Sequence, residues 1–236
     1  MDKKIFNKVE EAFLRDSMCI CIDDLTDKIF REAPQEIIFF NKLINYYISI
    51  TFPHNSESNL TYIEKDENRG IFESKLTTFE ENNALEDDSD ASRIYDELYH
   101  ALRSYTTEGL LGLYKHKDAT YWYPKIVLSE NIGSRDDIDN LDEEVIIYRG
   151  TNINEFDSKI FSQAWTLDKN IAQKFAFVHY IGQPNYKNTS RVVIKAKISK
   201  NDIYFYDRGL SEQEVVVNPL KIATTSAEII EQKILE

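Results

Sequence analysis

The chain has 236 residues, of which 42% are hydrophobic and 12% aromatic, and it carries a formal net charge of −13. This length and apolar content suffice for one domain with a buried core, or for a domain with an appendage. The acidic balance argues against broad, sequence-independent binding of nucleic acid, which needs a basic surface. A local basic groove stays compatible with this composition.

Cysteine content and the lack of long apolar runs favour a cytoplasmic protein. Cys19 and Cys21 are the only cysteines, which is too few for a disulfide framework. The first residues soon turn polar, without the apolar stretch of a secretory signal, and no apolar run reaches membrane-spanning length. We therefore expect a location in the cytoplasm of a bacterial or host cell, and no membrane partner. An effector exported without a cleaved signal would have the same features.

The N-terminal 90 residues are predicted to be mostly helical. Apolar residues at every fourth position indicate a first helix within residues 1–16. A second, broadly apolar helix starts at Pro34, where proline costs no hydrogen bond, and ends before Pro53. Residues 59–79 suit a β-hairpin, and the acidic residues 80–90 suit a solvated linker.

A third helix is predicted to begin at Ser92, whose side chain can cap the first turn. Ile94, Leu98 and Leu102 then lie on one face. From Val145 onward, β-rich runs alternate with one clear helix, which is an α+β pattern. We place an N-terminal helical region at residues 1–90 and an α+β core at residues 91–236.

The first motif of the core is the run Val-Ile-Ile-Tyr-Arg-Gly at residues 145–150. It has the composition of a short buried strand. Burial of Arg149 is costly unless an anion meets the guanidinium, and Gly150 permits a close approach of the backbone. We interpret Arg149 as pointing from the edge of the core at a negative group. A structural salt bridge at the strand end is the alternative.

The second motif spans residues 164–176. Thr166 and Asp168 offer capping side chains to the helix that follows, and the apolar residues of that helix face inward. Trp165 is either a core residue or part of a pocket wall, and core packing is favoured. The same two interpretations apply to Phe175.

The third motif is Glu212-Gln213-Glu214, which leads directly into three valines. Alternation along an extended segment places Glu212 and Glu214 on one face. Two like charges beside a buried strand are costly unless chemistry requires them. The alternative interpretation is the solvated edge of a strand.

In this order, the three motifs resemble the Arg / Ser-Thr-Ser / Glu-x-Glu pattern of the mono-ADP-ribosyltransferases related to bacterial exotoxins. The chain departs from that pattern at Ala164 and Trp165, so that only Thr166 keeps a hydroxyl group. The resemblance covers residues 92–220, and Tyr105-Thr106 is similar to a family segment near the adenine side of NAD. It implies an ADP-ribosyltransferase-like split β-sheet core with a helical N-terminal part.

The resemblance also implies an activity, namely transfer of ADP-ribose from NAD to a macromolecular acceptor with release of nicotinamide. Glu214 would stabilise the cationic ribose, and Glu212 would orient or deprotonate the acceptor. Arg149 would bind a phosphate and the nicotinamide-side ribose. The further NAD-contacting residues would be Tyr148, Gly150, Trp165, Thr166 and Phe175. NAD is the implied substrate, and the scattered histidines give no metal-binding spacing.

Two other functions stay open: an NAD glycohydrolase, with water as the acceptor, and a non-catalytic binding module, because Ala164 replaces the first serine. The overall acidity favours a protein acceptor, whereas RNA or DNA would suit a basic run at residues 187–200. That run is interpreted mostly as a solvated face, and it consists of Lys187, Arg191, Lys195, Lys197 and Lys200. A toxin of a toxin–antitoxin or phage-defence system, with an antitoxin partner, fits the family; a phage-encoded host modifier or a secreted effector fits as well.

Overall fold

The structure is a computed structural model that describes residues 4–51, 66–83, 85–86, 89–117, 122–132, 136–209, 211–222 and 227–235. The chain divides into two compact units, Met1–Val127 and Leu128–Glu236. In the described residues the regular structure of the first unit consists of helices and one isolated bridge, between Ile20 and Ile126, and the second unit contains the strands. The predicted α+β class is therefore confirmed. None of the described helices combines the length and the apolar character needed to cross a membrane.

Helices build the described part of the N-terminal unit. They are α1 (Lys8–Ala12), α2 (Ile22–Glu32), α3 (Ile37–Thr51), α4 (Asp66–Asn83) and α5 (Asp90–Lys115). A π-helical turn, Phe13–Ser17, continues α1. The core of the unit collects the apolar faces of these helices around Phe40 and Tyr47, which are fully buried.

The Tyr105-Thr106 segment of α5 belongs to this helical core. Thr106 is 3% exposed, and its hydroxyl group lies 2.8 Å from the hydroxyl of Tyr47. The ring of Tyr105 packs edge-on against Phe13. Both side chains therefore pack inside their own unit. The resemblance had implied that this segment lies near NAD.

Residues 66–79 form a helix, and the prediction of a β-hairpin is wrong for this part of the chain. Phe72, Leu76 and Phe79 recur at the helical spacing, and all three are buried. Burial of this stripe against α3 and α5 stabilises the helix. Residues 59–65, the other part of the predicted hairpin, lie outside the described residues.

The third predicted helix is present, but it begins earlier than expected. Its N-cap is Ser89, whose hydroxyl group accepts a hydrogen bond from the Ser92 amide at 3.0 Å. The helix α5 contacts α2, α3 and α4, so it folds with the N-terminal unit. The two units therefore divide after Val127 and not at residue 90.

The C-terminal unit is built on an antiparallel sheet. Its strands are β1 (Glu144–Asn152), β2 (Ala164–Thr166), β3 (Ser190–Ser199), β4 (Ile203–Tyr206), β5 (Glu214–Val217) and β6 (Glu228–Ile234). Their order in the described chain is β4-β5-β2-β1-β3-β6. The helices of the unit are α6 (Asp136–Asp139), α7 (Ile153–Ser158), α8 (Lys169–Phe177) and α9 (Pro219–Ile222).

The junction in the middle of this sheet has the fewest paired residues among the described strands. β1 pairs with β3 over its whole length, from Glu144 opposite Ser199 to Asn152 opposite Arg191. In the described chain, β1 and β2 share a single registered pair, Tyr148 with Thr166, because β2 has only three residues. The six strands form one hydrogen-bonded sheet, whereas the resemblance implied a split one. Its two halves, β4-β5-β2 and β1-β3-β6, meet only at this short junction.

Each face of the sheet has its own core. One face carries Ile147, Ile194 and Val215 in the larger apolar cluster of the unit. On the other face, Val193 packs against Ala172 and Ala176 of α8. The helix α8 therefore lies directly over β1 and β3, beside the β1–β2 junction.

Candidate functional site

A cleft of about 310 Å³ lies beside the β1–β2 junction. Its lining includes all of the predicted site residues, which are Tyr148, Arg149, Gly150, Trp165, Thr166, Phe175, Glu212 and Glu214. The rest of the lining consists of Thr151, Ala164, Ala172, Tyr180 and Arg191. Small-molecule pockets have volumes of about 300–1,000 Å³, so the cleft is large enough to be a binding site. Three motifs that are far apart in sequence therefore converge on one cavity.

The negative group that was predicted to meet Arg149 is the carboxylate of Glu155 in α7. The Nε atom donates to Glu155 Oε1 at 2.7 Å, and Nη2 donates to Oε2 at 3.1 Å. The Nη1 atom donates to the Ala164 carbonyl oxygen at 2.5 Å. The salt-bridge alternative is therefore present in the structure, and these bonds use three of the five N–H donors of the guanidinium.

Glu155 lies behind the cleft lining, where it holds Arg149, and the sequence analysis missed it. Besides Arg149, it accepts hydrogen bonds from the Thr151 hydroxyl group at 2.5 Å and from the Ser162 amide at 2.8 Å. Burial alone would raise the pKa of this carboxyl group, but Arg149 and these donors together hold the pKa below its ordinary value. The sequence did contain an indication of this role of Glu155, because a buried Arg149 needs an anionic partner and Glu155 follows six positions later.

Gly150 is required by the packing of α8. A Cβ atom at this position would collide with the Ala172 carbonyl oxygen and would lie 2.5 Å from the Ala176 amide nitrogen. The close backbone approach predicted for Gly150 is therefore made to a helix of the same unit. α8 is positioned for this contact by its N-cap, Asp168, whose carboxylate accepts from the Asn170 amide at 2.7 Å. The capping role predicted for Asp168 is confirmed.

Thr166 joins the second motif to the third. Its hydroxyl group donates to the Glu212 carbonyl oxygen at 2.7 Å and accepts from the Asp168 amide at 3.0 Å. The neighbouring Leu167 amide donates to the Gln213 carbonyl oxygen at 3.2 Å. The hydroxyl group of Thr166 therefore holds the backbone of the Glu-Gln-Glu segment.

Glu212 and Glu214 both line the cleft, but not because they alternate along one strand. β5 begins at Glu214, which lies opposite Thr166 in the sheet. Gln213 has a φ of 45°, a left-handed conformation that an extended segment does not contain. The alternation argument is therefore wrong: Glu214 is half-buried at the start of a paired strand, and Glu212 is exposed in the turn before it.

Two aromatic residues of the motifs have different environments. The indole of Trp165 is 3% exposed, donates to the Ser162 carbonyl oxygen at 2.9 Å and packs against Phe161. Trp165 is therefore a core residue, and it also forms part of the cleft wall, so that both interpretations apply. The ring of Phe175 is half-buried, lines the cleft and contacts His179, with 4.6 Å between ring centroids.

Arg191 is a cleft residue that the sequence analysis misassigned. It was placed on a solvated basic face, but it is 5% exposed and lines the cleft. Its Nε and Nη2 atoms donate to the carbonyl oxygens of Ala176 and Phe175, at 3.1 and 3.0 Å. Burial lowers the pKa of this guanidinium. Its burial could have been predicted from its position at the start of an apolar strand, which is buried on both faces.

The rest of the basic run is largely compensated by acidic residues. Lys195 pairs with Glu228, Lys197 with Glu144, and Lys200 with Glu143. These pairs connect β3 and the residue that follows it to β6, to β1 and to the segment just before β1. They compensate three of the five positive charges of the run that was considered for the attraction of RNA or DNA.

Comparison with models of protein families, with curated proteins and with solved structures found no match. In the part of the chain that the structure describes, no group of three or more His, Cys, Asp and Glu side chains is arranged to hold a metal ion. The side chains of the cleft offer two guanidinium groups, two carboxylates and partly exposed aromatic rings. Guanidinium groups suit phosphate oxygens, and carboxylates suit a developing positive charge.

Proposed function

We propose that the C-terminal unit binds NAD in this cleft and acts as a mono-ADP-ribosyltransferase on a macromolecular acceptor. The observation that carries the proposal is the convergence of the three motifs on one cavity, with the Thr166 hydroxyl holding the Glu212 backbone. Packing alone gives no reason for two glutamates to share a cleft with two arginines.

In the proposed reaction, the bond between the ribose C1′ and the nicotinamide nitrogen breaks, and its electron pair leaves with neutral nicotinamide. Positive charge then develops on the ribose, as in glycoside hydrolysis. The Glu214 carboxylate stabilises this charge electrostatically. The acceptor nucleophile forms the new bond to C1′, and its proton passes to Glu212.

The environments of the two carboxylates support this division of roles. Glu214 stands on a strand that is paired on both sides, with β2 and β4, which suits a group that must keep a fixed position against the substrate. Glu212 is exposed in a turn, which suits a group that must meet an incoming acceptor. Phe175 offers a partly exposed ring to the cationic nicotinamide.

The test is incubation of the purified chain and a bacterial lysate with NAD labelled in its ADP-ribose part. Glu214→Gln is the inactive control, and Glu143→Gln is the matched variant at an exposed position outside the cleft. We expect acid-insoluble label with the wild type and Glu143→Gln, but not with Glu214→Gln. Protease and nuclease digestion then identify the acceptor as protein or nucleic acid.

Two results would redirect or end the proposal. Glu214-dependent release of nicotinamide without label on any macromolecule would identify an NAD glycohydrolase. Absence of any NAD turnover by the folded wild type, in lysates from several sources, would contradict the transferase and leave a binding module.

A further inference from the structure

The two guanidinium groups that line the cleft differ in their counter-charges. Arg149 forms two hydrogen bonds with the carboxylate of Glu155. Both side chains are largely buried, with 20% and 13% of their surface exposed, so solvent screens their attraction only in part. The charge of Arg149 is therefore already compensated within the chain.

In the described parts of the chain Arg191 forms no ion pair with a carboxylate, and the charge of Glu155, which is engaged by Arg149, reaches it only from a greater distance. Its partners are the carbonyl oxygens of Phe175 and Ala176, at the C-terminal end of α8. A helix C-terminus carries a partial negative charge of about half a unit, which is less than the charge of a carboxylate. Arg191 therefore brings a buried and incompletely compensated positive charge to the cleft.

Two tyrosines hold the Arg191 guanidinium in place. Its Cζ atom lies 4.6 Å from the ring centroid of Tyr180 and 5.5 Å from that of Tyr186. The two rings stack on each other with 4.2 Å between centroids. Since the backbone carbonyls take only two of the five N–H donors, the others are held in a fixed orientation beside the cleft.

We propose that Arg191 binds the diphosphate group of the nucleotide substrate, and that Arg149 is mainly a positioning residue. Arg149 bridges Glu155 and Ala164, and so fixes the wall of the cleft. Arg191 supplies the charge-assisted hydrogen bonds that a diphosphate requires. The inference rests on the proposed function for the nature of the ligand, a nucleoside diphosphate sugar.

The competing explanation is that Arg191 only caps α8. A cap contributes to stability, but it has no preference for anions in solution. Binding of ADP-ribose and of inorganic diphosphate therefore separates the two explanations, because neither probe requires turnover of NAD.

The experiment measures the affinity of the full chain for both probes, by calorimetry for ADP-ribose and by NMR titration for diphosphate. The variants are Arg191→Gln, Arg191→Lys and, as a control for loss of one charge, Arg208→Gln, whose side chain is exposed and outside the cleft lining. Hydrogen bonds to a charged group contribute about 1.5–3 kcal/mol, so Arg191→Gln should weaken ADP-ribose binding by about 10- to 100-fold. Arg191→Lys should fall in between, Arg208→Gln should match the wild type, and diphosphate should displace ADP-ribose from the wild type.

Unchanged affinity of folded Arg191→Gln for both probes would overturn the inference, and so would failure of the wild type to bind either. If Arg191→Gln does not fold, Arg191→Lys decides, because it retains the charge but loses the fork-shaped donor set. Wild-type affinity for ADP-ribose in that variant would contradict the inference. Arg191-dependent binding of diphosphate without any consumption of NAD would uphold the anion site and reject the transferase.

Discussion

The guanidinium of Arg149 and the carboxylate of Glu155 form a two-point ion pair, with Nε 2.7 Å from Oε1 and Nη2 3.1 Å from Oε2. The same carboxylate accepts from Thr151 and from the Ser162 amide. One side chain therefore links the end of β1 to the segment that leads into β2. These are the strands beside which the cleft lies, so Glu155 determines the shape of the cleft without belonging to its lining.

Substitution Glu155→Gln should destabilise the protein. It leaves Arg149 without its counter-charge in a largely buried position, and we expect the free energy of unfolding to fall by about 2–4 kcal/mol. Urea denaturation followed by circular dichroism measures this value. The matched control is Glu143→Gln, whose carboxylate pairs with Lys200 but is 77% exposed, and which should cost less than about 1 kcal/mol. Equal losses in the two variants would contradict the prediction.

The same pair predicts a particular dependence of stability on pH. Burial raises the pKa of Glu155, but Arg149 and the other donors together lower it by more than burial raises it. The pKa in the folded protein therefore lies below the ordinary value of 4.5. A carboxyl group with a lowered pKa adds stability above its unfolded pKa, and this contribution is lost as pH falls through the folded value. The difference in unfolding free energy between wild type and Glu155→Gln should therefore be full at pH 6–7 and shrink below about pH 4.5. A difference that stays constant down to pH 3 would argue against it.

Substitution Gly150→Ala should separate α8 from β1. The new methyl group meets the backbone of Ala172 and Ala176, which cannot yield as a flexible side chain can, and overpacking of this kind costs about 1–3 kcal/mol. Gly70→Ala is the control, because Gly70 is exposed within α4 with open space around it. There alanine should be neutral or should stabilise by up to about 1 kcal/mol. Thermal unfolding of both variants checks the pair, and a neutral Gly150→Ala would show that α8 is not held by this contact.

Thr166 should be needed for its hydroxyl group and not for its methyl group. Thr166→Val keeps the shape but leaves the Glu212 carbonyl oxygen and the Asp168 amide without their partner. We expect a loss of about 1–3 kcal/mol in stability and a clear fall in NAD turnover, since the Glu-Gln-Glu segment is released. Thr166→Ser restores the hydroxyl group and should retain most of the turnover. If the serine variant is as impaired as the valine variant, the methyl group is what matters.

Substitution of Glu212 and of Glu214 should have different effects on the rates of nicotinamide release and of acceptor labelling. Glu214→Gln should lower nicotinamide release and acceptor labelling together, by about 10²- to 10³-fold, because it removes the charge that stabilises the ribose. Glu212→Gln should lower acceptor labelling by about 10²-fold or more, the usual contribution of a general base, while nicotinamide release persists. Chromatography of nicotinamide and counting of labelled acceptor measure both. Parallel loss of the two activities in Glu212→Gln would refute its role at the acceptor.

The sequence was informative where local patterning and burial agree. The run 145–150 has the composition of a strand, and it forms the centre of β1. Asp168 was recognised as a capping side chain because an N-cap is a local requirement. The apolar spacing of Phe72, Leu76 and Phe79 also carried the helical signal of α4, which the expectation of a hairpin overlooked.

The site was less predictable, because the partner of each side chain is set by tertiary structure. Nothing local shows that Arg191 turns toward the carbonyl groups of α8, while Lys195 and Lys197 of the same strand pair with exposed glutamates. Likewise, the left-handed conformation of Gln213 is invisible in a Glu-Gln-Glu sequence. The motifs predicted many of the residues that line the cleft. The hydrogen-bond partners of these residues could be identified only from the fold.

The turn that carries Glu212 has a consequence for protein engineering. It is held through main-chain oxygens, that of Glu212 by the Thr166 hydroxyl and that of Gln213 by the Leu167 amide. Side chains at positions 211 and 213 can therefore be randomised without removal of either bond, and glycine at position 213 even suits the backbone there. Glu214, anchored in the neighbouring strand, stays where it is. In the proposed transferase, a library confined to these two exposed positions thus offers a route to altered acceptor choice with Glu212 and Glu214 both retained.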